Sequence, residues 1–137
     1  MPWLERDRRG RERVPERAIR AFAARVAARY RPLWIILFGS YARGDYNRDS
    51  DVDLLVVTQK RRRGDLDVRI RNRIACNFPL DLLVMDEERL RRRIELSDFF
   101  LGEIVSEGRV LYEAGDAGVG GEGRGGLRRR YSPAAPA

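Results

Sequence analysis

The chain has 137 residues, enough for one domain of ordinary size, and its 28 lysine and arginine residues outnumber 21 aspartate and glutamate residues, giving a formal charge of +7. It contains no histidine, which excludes Ser–His–Asp triads, histidine-bound zinc and catalysis by an imidazole. The single cysteine, Cys76, excludes internal disulfides and cysteine-based metal clusters. No apolar run approaches the ~20 residues of a membrane-spanning helix and no signal peptide is visible, so we expect a cytoplasmic protein.

The positive charge is concentrated at the two ends of the sequence. Residues 1–31 carry a net charge of +6 and residues 114–137 a net charge of +2, whereas residues 32–113 carry −1. A basic arm can contact nucleic acid or an acidic partner. It can equally be the solvated face of a helix, which is the interpretation we favour.

The first part of the chain predicts a leader, a helix and a strand. Residues 1–14 are mostly charged and predict a flexible leader. Between Pro15 and Pro32, apolar residues recur at three- and four-residue spacing, which predicts an amphipathic helix with a proline at its start and another at its stop. The continuous apolar run 33–38, which ends at Gly39, predicts a buried strand.

The rest of the patterned sequence alternates strands with helices. Apolar runs predict strands at residues 52–57, 80–85 and 110–112. The spacing of apolar residues predicts three helices: one over residues 66–77, one that begins after an N-cap at Asp86, and one that ends at Gly108.

The regular pattern ends at residue 113. Seven glycines fall between residues 115 and 126, and too few apolar side chains remain beyond them to offset the entropy lost on ordering. We therefore expect residues 114–137 to form a disordered tail rich in glycine, arginine and proline. Residues 15–113 are expected to form a small α+β domain with α/β character, in which three to four short strands are flanked by helices.

Gly39 and Ser40 directly follow the first predicted strand of the domain. Glycine lets the backbone pass close to a ligand, and free amides at the start of a following helix can hold phosphate. An ordinary strand-ending turn has the same sequence, so the pair is not specific by itself.

Three aspartates occupy the next two predicted strands. Asp51 and Asp53 point to one side of their strand and could hold Mg²⁺ through oxygen ligands, although a solvated acidic strand end has the same pattern. Asp81 interrupts an apolar strand, where a carboxylate needs a cation, water or an arginine partner. Residues 53–56 and 81–84 are both Asp-Leu-Leu-Val. If these strands are neighbours in matching register, the three carboxylates meet at one end of the sheet, an arrangement best explained by bound cations.

The order of these features resembles a known family. Residues 38–45, Phe-Gly-Ser-Tyr-Ala-Arg-Gly-Asp, followed by residues 50–56, Ser-Asp-Val-Asp-Leu-Leu-Val, resemble the nucleotidyltransferase superfamily of DNA polymerase β. More narrowly, they resemble the minimal nucleotidyltransferases, small proteins often encoded beside a helical HEPN-domain partner. The resemblance covers about residues 15–113 and implies a palm-like fold with a small mixed sheet.

The resemblance also implies site residues, a cofactor and a substrate. Asp51 and Asp53 would bind Mg²⁺ ions that hold the triphosphate of ATP. Asp81 would complete the site for the metal nearer the attacking hydroxyl, or help to deprotonate that hydroxyl. Two Mg²⁺ ions would then stabilise charge during displacement at the α-phosphorus.

The resemblance also implies which residues bind phosphate. Gly39 and Ser40 would contact phosphates, and Arg43 is either a further phosphate ligand or one surface arginine among many. For the minimal family the resemblance implies an antitoxin, which transfers AMP from ATP to a tyrosine of a HEPN-type RNase toxin.

Three other functions remain compatible with the sequence. A catalytically silent module could neutralise its partner by contact alone. The chain could instead modify a small molecule such as an antibiotic, or bind or tail RNA through its basic ends, although few aromatic side chains interleave with those arginines.

Overall fold

The architecture was obtained as a computed structural model, which describes residues 3–59, 64–115 and 131. The elements follow the predicted alternation of helices and short strands. In chain order they are β1 (Glu5–Arg6), β2 (Glu12–Arg13), α1 (Glu16–Tyr30), β3 (Trp34–Phe38), α2 (Ser40–Arg43), β4 (Val52–Thr58), α3 (Leu66–Arg73), β5 (Leu80–Asp86), α4 (Glu87–Glu95), α5 (Phe99–Glu107) and β6 (Arg109–Glu113).

The domain is built on a mixed four-stranded sheet with the strand order β5-β4-β3-β6. β3 runs antiparallel to both β4 and β6, whereas β4 and β5 are parallel. The parallel pair requires a crossover, and α3 supplies it. The predicted α+β domain with a small mixed sheet is confirmed, and β6 is the edge strand that residues 110–112 predicted.

Helices cover both faces of the sheet. Alternate residues of β3 and β4, such as Ile35 and Leu54, pack with apolar residues of α1 and α3, while their neighbours, such as Ile36 and Leu55, pack with α4 and α5. Every residue of β3 is therefore buried, which explains why its sequence is continuously apolar rather than alternating.

Helix boundaries follow the predicted signals closely. α1 begins directly after Pro15, and Arg31 beyond its end adopts a left-handed conformation with φ of 45°. Asp86 caps α4 as predicted, because its carboxylate accepts a hydrogen bond of 2.7 Å from the amide of Arg89. α3 ends at Arg73, earlier than the expected Asn77.

The N-terminal residues, whose charge predicts a flexible leader, contain two short strands. β1 and β2 form a small antiparallel hairpin. Asp7 closes it by accepting hydrogen bonds from the amides of Arg9 and Arg11, at 2.8 and 2.9 Å. The Asp7 carboxylate also accepts a hydrogen bond of 2.5 Å from the hydroxyl of Tyr46, which together with the amide donors holds the pKa of Asp7 well below its usual range. Asp7 thus takes part in specific contacts, which link this hairpin to Tyr46.

The predicted disordered tail lies almost entirely outside the described residues. Beyond Gly115 only Tyr131 is described, and its buried ring lies edge to face with Trp34 at 6.0 Å between centroids. Cys76 is exposed, at the turn that follows α3. Among the described residues no helix has both the length and the apolar character needed to cross a membrane.

Candidate active site

The pairing of β4 with β5 brings the predicted carboxylates together. Asp53 and Asp81 occupy matched positions in the parallel ladder, so their side chains leave the sheet on the same face. Asp51 precedes β4 by one residue and is exposed. The matching register that the repeated Asp-Leu-Leu-Val predicted is therefore confirmed.

Gly39 lies against the Asp53 carboxylate. It follows β3 directly, and the last β3 residue, Phe38, pairs with Asp53. Its backbone has φ of 72° and ψ of −154°, a conformation that side chains rarely permit. A Cβ placed on Gly39 would overlap Oδ2 of Asp53. Only glycine fits here, because both the backbone conformation and the close carboxylate exclude a side chain.

Ser40 opens the short helix α2 at the same edge. The carbonyl oxygen of Gly39 accepts hydrogen bonds from the amides of Ala42 and Arg43, at 3.1 and 3.0 Å, which turns the chain sharply after β3. The amides at the start of a helix have no acceptor within the helix. The amides of Ser40 and Tyr41 are in this position, directly after Gly39.

These groups border a cleft of about 220 Å³ between the end of the sheet and α5. Of the predicted site residues, Gly39, Arg43, Asp53 and Asp81 line the cleft. Ser40, which follows Gly39 directly, and Asp51, two residues before Asp53, do not line it. The remaining lining residues are Phe38, Phe100, Glu103, Ile104 and Glu107.

The electrostatics of Asp53 are those of a crowded anionic site. Partial burial first, and then the nearby carboxylates of Asp81 and Asp51, raise the pKa of Asp53 to about 6 against the opposing effect of Arg43. Ionised carboxylates this close repel one another. A cation at this edge would relieve the repulsion and keep Asp53 ionised near neutral pH.

Arg43 is held by a neighbour rather than by the carboxylates of the sheet. Its guanidinium donates a hydrogen bond of 3.2 Å to Asp45, and this contact, followed by weaker attraction from Glu107 and Glu103, raises the pKa of Arg43. The side chain is exposed, and the contact uses Nε alone, so the two Nη groups stay available to a phosphate.

The donor set fits a hard divalent cation. Within the described parts of the chain, no group of three or more acidic, histidine or cysteine side chains is close enough to enclose a metal ion. Adjacent strands are about 4.8 Å apart, so the carboxylates of Asp53 and Asp81 are within reach of one cation once it neutralises their repulsion. Oxygen donors alone, with no histidine in the chain, suit Mg²⁺.

Sequence reasoning missed the wall of the cleft that α5 contributes. Phe100, Glu103, Ile104 and Glu107 recur at the spacing of one helical face, and all four line the cleft. The signal in the sequence was a helix face that mixes carboxylates with large apolar side chains.

Comparison with known proteins agrees with this geometry. A family model described as "Nucleotidyltransferase domain" matches residues 19–107, more than half of the chain. A protein of Methanocaldococcus jannaschii named "Putative protein adenylyltransferase MJ0604" is 36% identical over 99 residues, which cover 71% of this chain and 97% of that protein.

Two solved structures align with the chain. The chain resembles the structure of a protein described as a "putative nucleotidyltransferase from Sulfolobus solfataricus", with a TM-score of 0.52 and 23% identity, covering 72% of this chain and 79% of that one. At this identity the likeness concerns the fold alone. A toxin–antitoxin structure with AMP-PNP aligns with a TM-score of 0.48 and 21% identity, over 69% and 73% of the two chains, and at this distance it supports no argument.

The family match spans β3, β4 and β5, the Gly39 turn and all three aspartates, and the similar archaeal protein is matched over nearly its whole length. The chain therefore belongs to the nucleotidyltransferase domain family and is a nucleotidyltransferase.

Proposed function

We propose that the chain transfers AMP from ATP to a hydroxyl group of a partner protein, in a reaction that depends on Mg²⁺. The observation that carries the proposal is the pairing of Asp53 with Asp81 across β4 and β5, with Gly39 packed against the first of these carboxylates. The similarity to a protein named as a protein adenylyltransferase supports a protein as the acceptor.

Each site residue has a role in this reaction. Asp51 and Asp53 would hold the Mg²⁺ that binds the triphosphate. Gly39 has no side chain, so phosphates can approach the backbone amides of Ser40 and Tyr41. Bound Mg²⁺ would supply charge stabilisation on the attacking and leaving oxygens. Arg43 can pair with a phosphate oxygen through the Nη groups of its planar guanidinium.

The chemical step is an in-line displacement at the α-phosphorus. The acceptor hydroxyl oxygen forms a bond to this phosphorus as the bond to the pyrophosphate oxygen breaks. Asp81 is exposed at the mouth of the cleft, where an acceptor arrives, and its carboxylate takes up the proton of the hydroxyl. Pyrophosphate leaves, and AMP remains joined to the acceptor.

The proposed acceptor is a tyrosine of a HEPN-type RNase toxin, which AMP would silence, so that this chain acts as the antitoxin in the cytoplasm. The minimal nucleotidyltransferases that the motif resembles are the basis for this partner. A tyrosine on a protein surface can reach the carboxylates because the cleft is open to solvent at Asp81.

Label transfer tests the proposal directly. The purified chain is incubated with Mg²⁺, the protein encoded beside it and ATP labelled at the α-phosphate or, separately, at the γ-phosphate. We expect the α-label to appear on the neighbouring protein and the γ-label to leave with pyrophosphate. Mass spectrometry of the labelled protein then identifies the modified side chain.

Matched variants distinguish neutralisation of the partner by nucleotide transfer from neutralisation by binding alone. The double variant Asp51→Asn with Asp53→Asn should lose label transfer by at least about a thousandfold, since the loss of metal ligands removes most of the charge stabilisation. Asp49→Asn, an exposed carboxylate two residues before Asp51, should retain it. Neutralisation of the partner by the double variant without any label transfer would instead show a contact-only antitoxin.

A further inference from the structure

The cleft contains an aromatic side chain with much of its surface accessible. Phe100 is 48% exposed and lines the cleft together with Asp53 and Asp81. Its ring lies edge to face with the buried ring of Phe38, with centroids 5.8 Å apart. Because Phe38 pairs with Asp53 across the sheet, the aromatic ring is held beside the strand that carries the carboxylates.

The helix face that carries Phe100 also carries two carboxylates. Glu103 and Glu107 follow Phe100 by three and seven residues, are exposed, and line the same cleft. Ionised carboxylates accept hydrogen bonds and donate none. The α5 wall therefore combines a stacking surface with hydrogen-bond acceptors, whereas the opposite wall carries the turn at Gly39.

We propose that this face of α5 is a nucleobase subsite, in which the base of the nucleotide stacks on Phe100 and an exocyclic amino group of the base donates to Glu103 or Glu107. This inference rests on the proposed function, because it takes the triphosphate to lie at Gly39 and the aspartates. Stacking accepts any base, since every base has a π face. The carboxylates add a preference for adenine over hypoxanthine, which has a carbonyl oxygen in place of the amino group.

The neighbouring aromatic residue provides a matched control. Phe99 is 87% exposed, more than Phe100, and it does not line the cleft. It lines a neighbouring groove that shares Glu103 and Glu107 with the cleft. Phe99→Ala and Phe100→Ala therefore remove the same side chain from adjacent positions of one helix, and only the second removes a residue that lines the cleft.

Calorimetric titration with two ligands isolates the contribution of the base to the binding affinity. One ligand is the Mg²⁺ complex of α,β-methylene-ATP, which cannot release pyrophosphate, and the other is Mg²⁺-tripolyphosphate, which has no base. We expect Phe100→Ala to weaken the nucleotide by about tenfold to a hundredfold and tripolyphosphate by less than about twofold. Phe99→Ala should change neither affinity. Phe100→Trp, which keeps a stacking surface, should retain nucleotide binding.

The outcomes separate this inference from the proposed function. If Phe100→Ala weakens both ligands equally, or Phe99→Ala weakens the nucleotide as much, the subsite is overturned while the phosphate site stands. If the wild-type chain binds neither ligand, the proposed function itself fails.

A second comparison tests the hydrogen bond from the amino group of the base. The double variant Glu103→Ala with Glu107→Ala should reduce the ratio of the affinities for ATP and ITP to nearly one. An unchanged preference would overturn the role of these glutamates.

Discussion

Replacing Gly39 by alanine tests the geometry of the site most sharply. The backbone conformation at φ of 72° and ψ of −154° is one that glycine alone adopts readily, and imposing it on alanine costs on the order of 1–3 kcal/mol. The new Cβ would also overlap Oδ2 of Asp53. Gly39→Ala therefore has two costs in the free energy of unfolding, backbone strain and displacement of the carboxylate.

A double-mutant cycle with Asp53→Ala separates the two costs. In the Asp53→Ala background the overlap is gone, so Gly39→Ala should cost only the strain. We expect a coupling free energy on the order of 1–2 kcal/mol, measured by urea denaturation without metal. Gly44→Ala is the control, because Gly44 has φ of 92° and no atom within 4 Å of an added Cβ, and it should cost about 1 kcal/mol in both backgrounds. Coupling near zero in the Gly39 cycle would refute the contact between the turn and the carboxylate.

Three further predictions concern stability. Asp53→Asn should stabilise the metal-free chain more at pH 7.5 than at pH 4, because the pKa of Asp53 is raised to about 6 in the fold, and ionising this carboxylate therefore opposes folding as the pH rises from about 4 through 6. Thermal unfolding across that range checks the sign, and an equal effect at both pH values would contradict it. Tyr41→Phe should cost about 1–3 kcal/mol, since the buried amide of Val14 loses its 2.9 Å hydrogen bond to the tyrosine hydroxyl. Tyr30→Phe, which loses only a 3.4 Å contact to the carbonyl of Arg69, should cost less in the same urea titration, and equal losses would count against this account. Asp86→Ala should cost about 1 kcal/mol by removing the N-cap of α4, and Asp86→Ser should recover most of it.

Local sequence signals predicted the elements that make up the domain. The spacing of apolar residues between two prolines predicted α1, and continuous apolar runs predicted β3, β4 and β5. The repeated Asp-Leu-Leu-Val predicted the register of the parallel pair, because a matched register places identical residues side by side. These features depend on residues that are near one another in sequence or repeated within it.

Contacts between distant residues could not be read in the same way. The hairpin at residues 5–13 contacts Tyr46, more than thirty residues away, and the charges of residues 5–13 do not reveal that contact. The α5 wall of the cleft depends on how that helix crosses the end of the sheet, so the mixed face of α5 does not by itself identify the wall.

The central claim is that the carboxylates at the β4–β5 edge hold a metal-bound nucleotide. Binding of Mn²⁺, counted by the loss of the free-ion signal in electron paramagnetic resonance, tests it with α,β-methylene-ATP present. The account predicts nucleotide-dependent Mn²⁺ binding by the wild-type chain and by Asp49→Asn, and its loss when Asp51 and Asp53 are both replaced by asparagine. Equal Mn²⁺ binding by the wild-type chain and the double variant would contradict it.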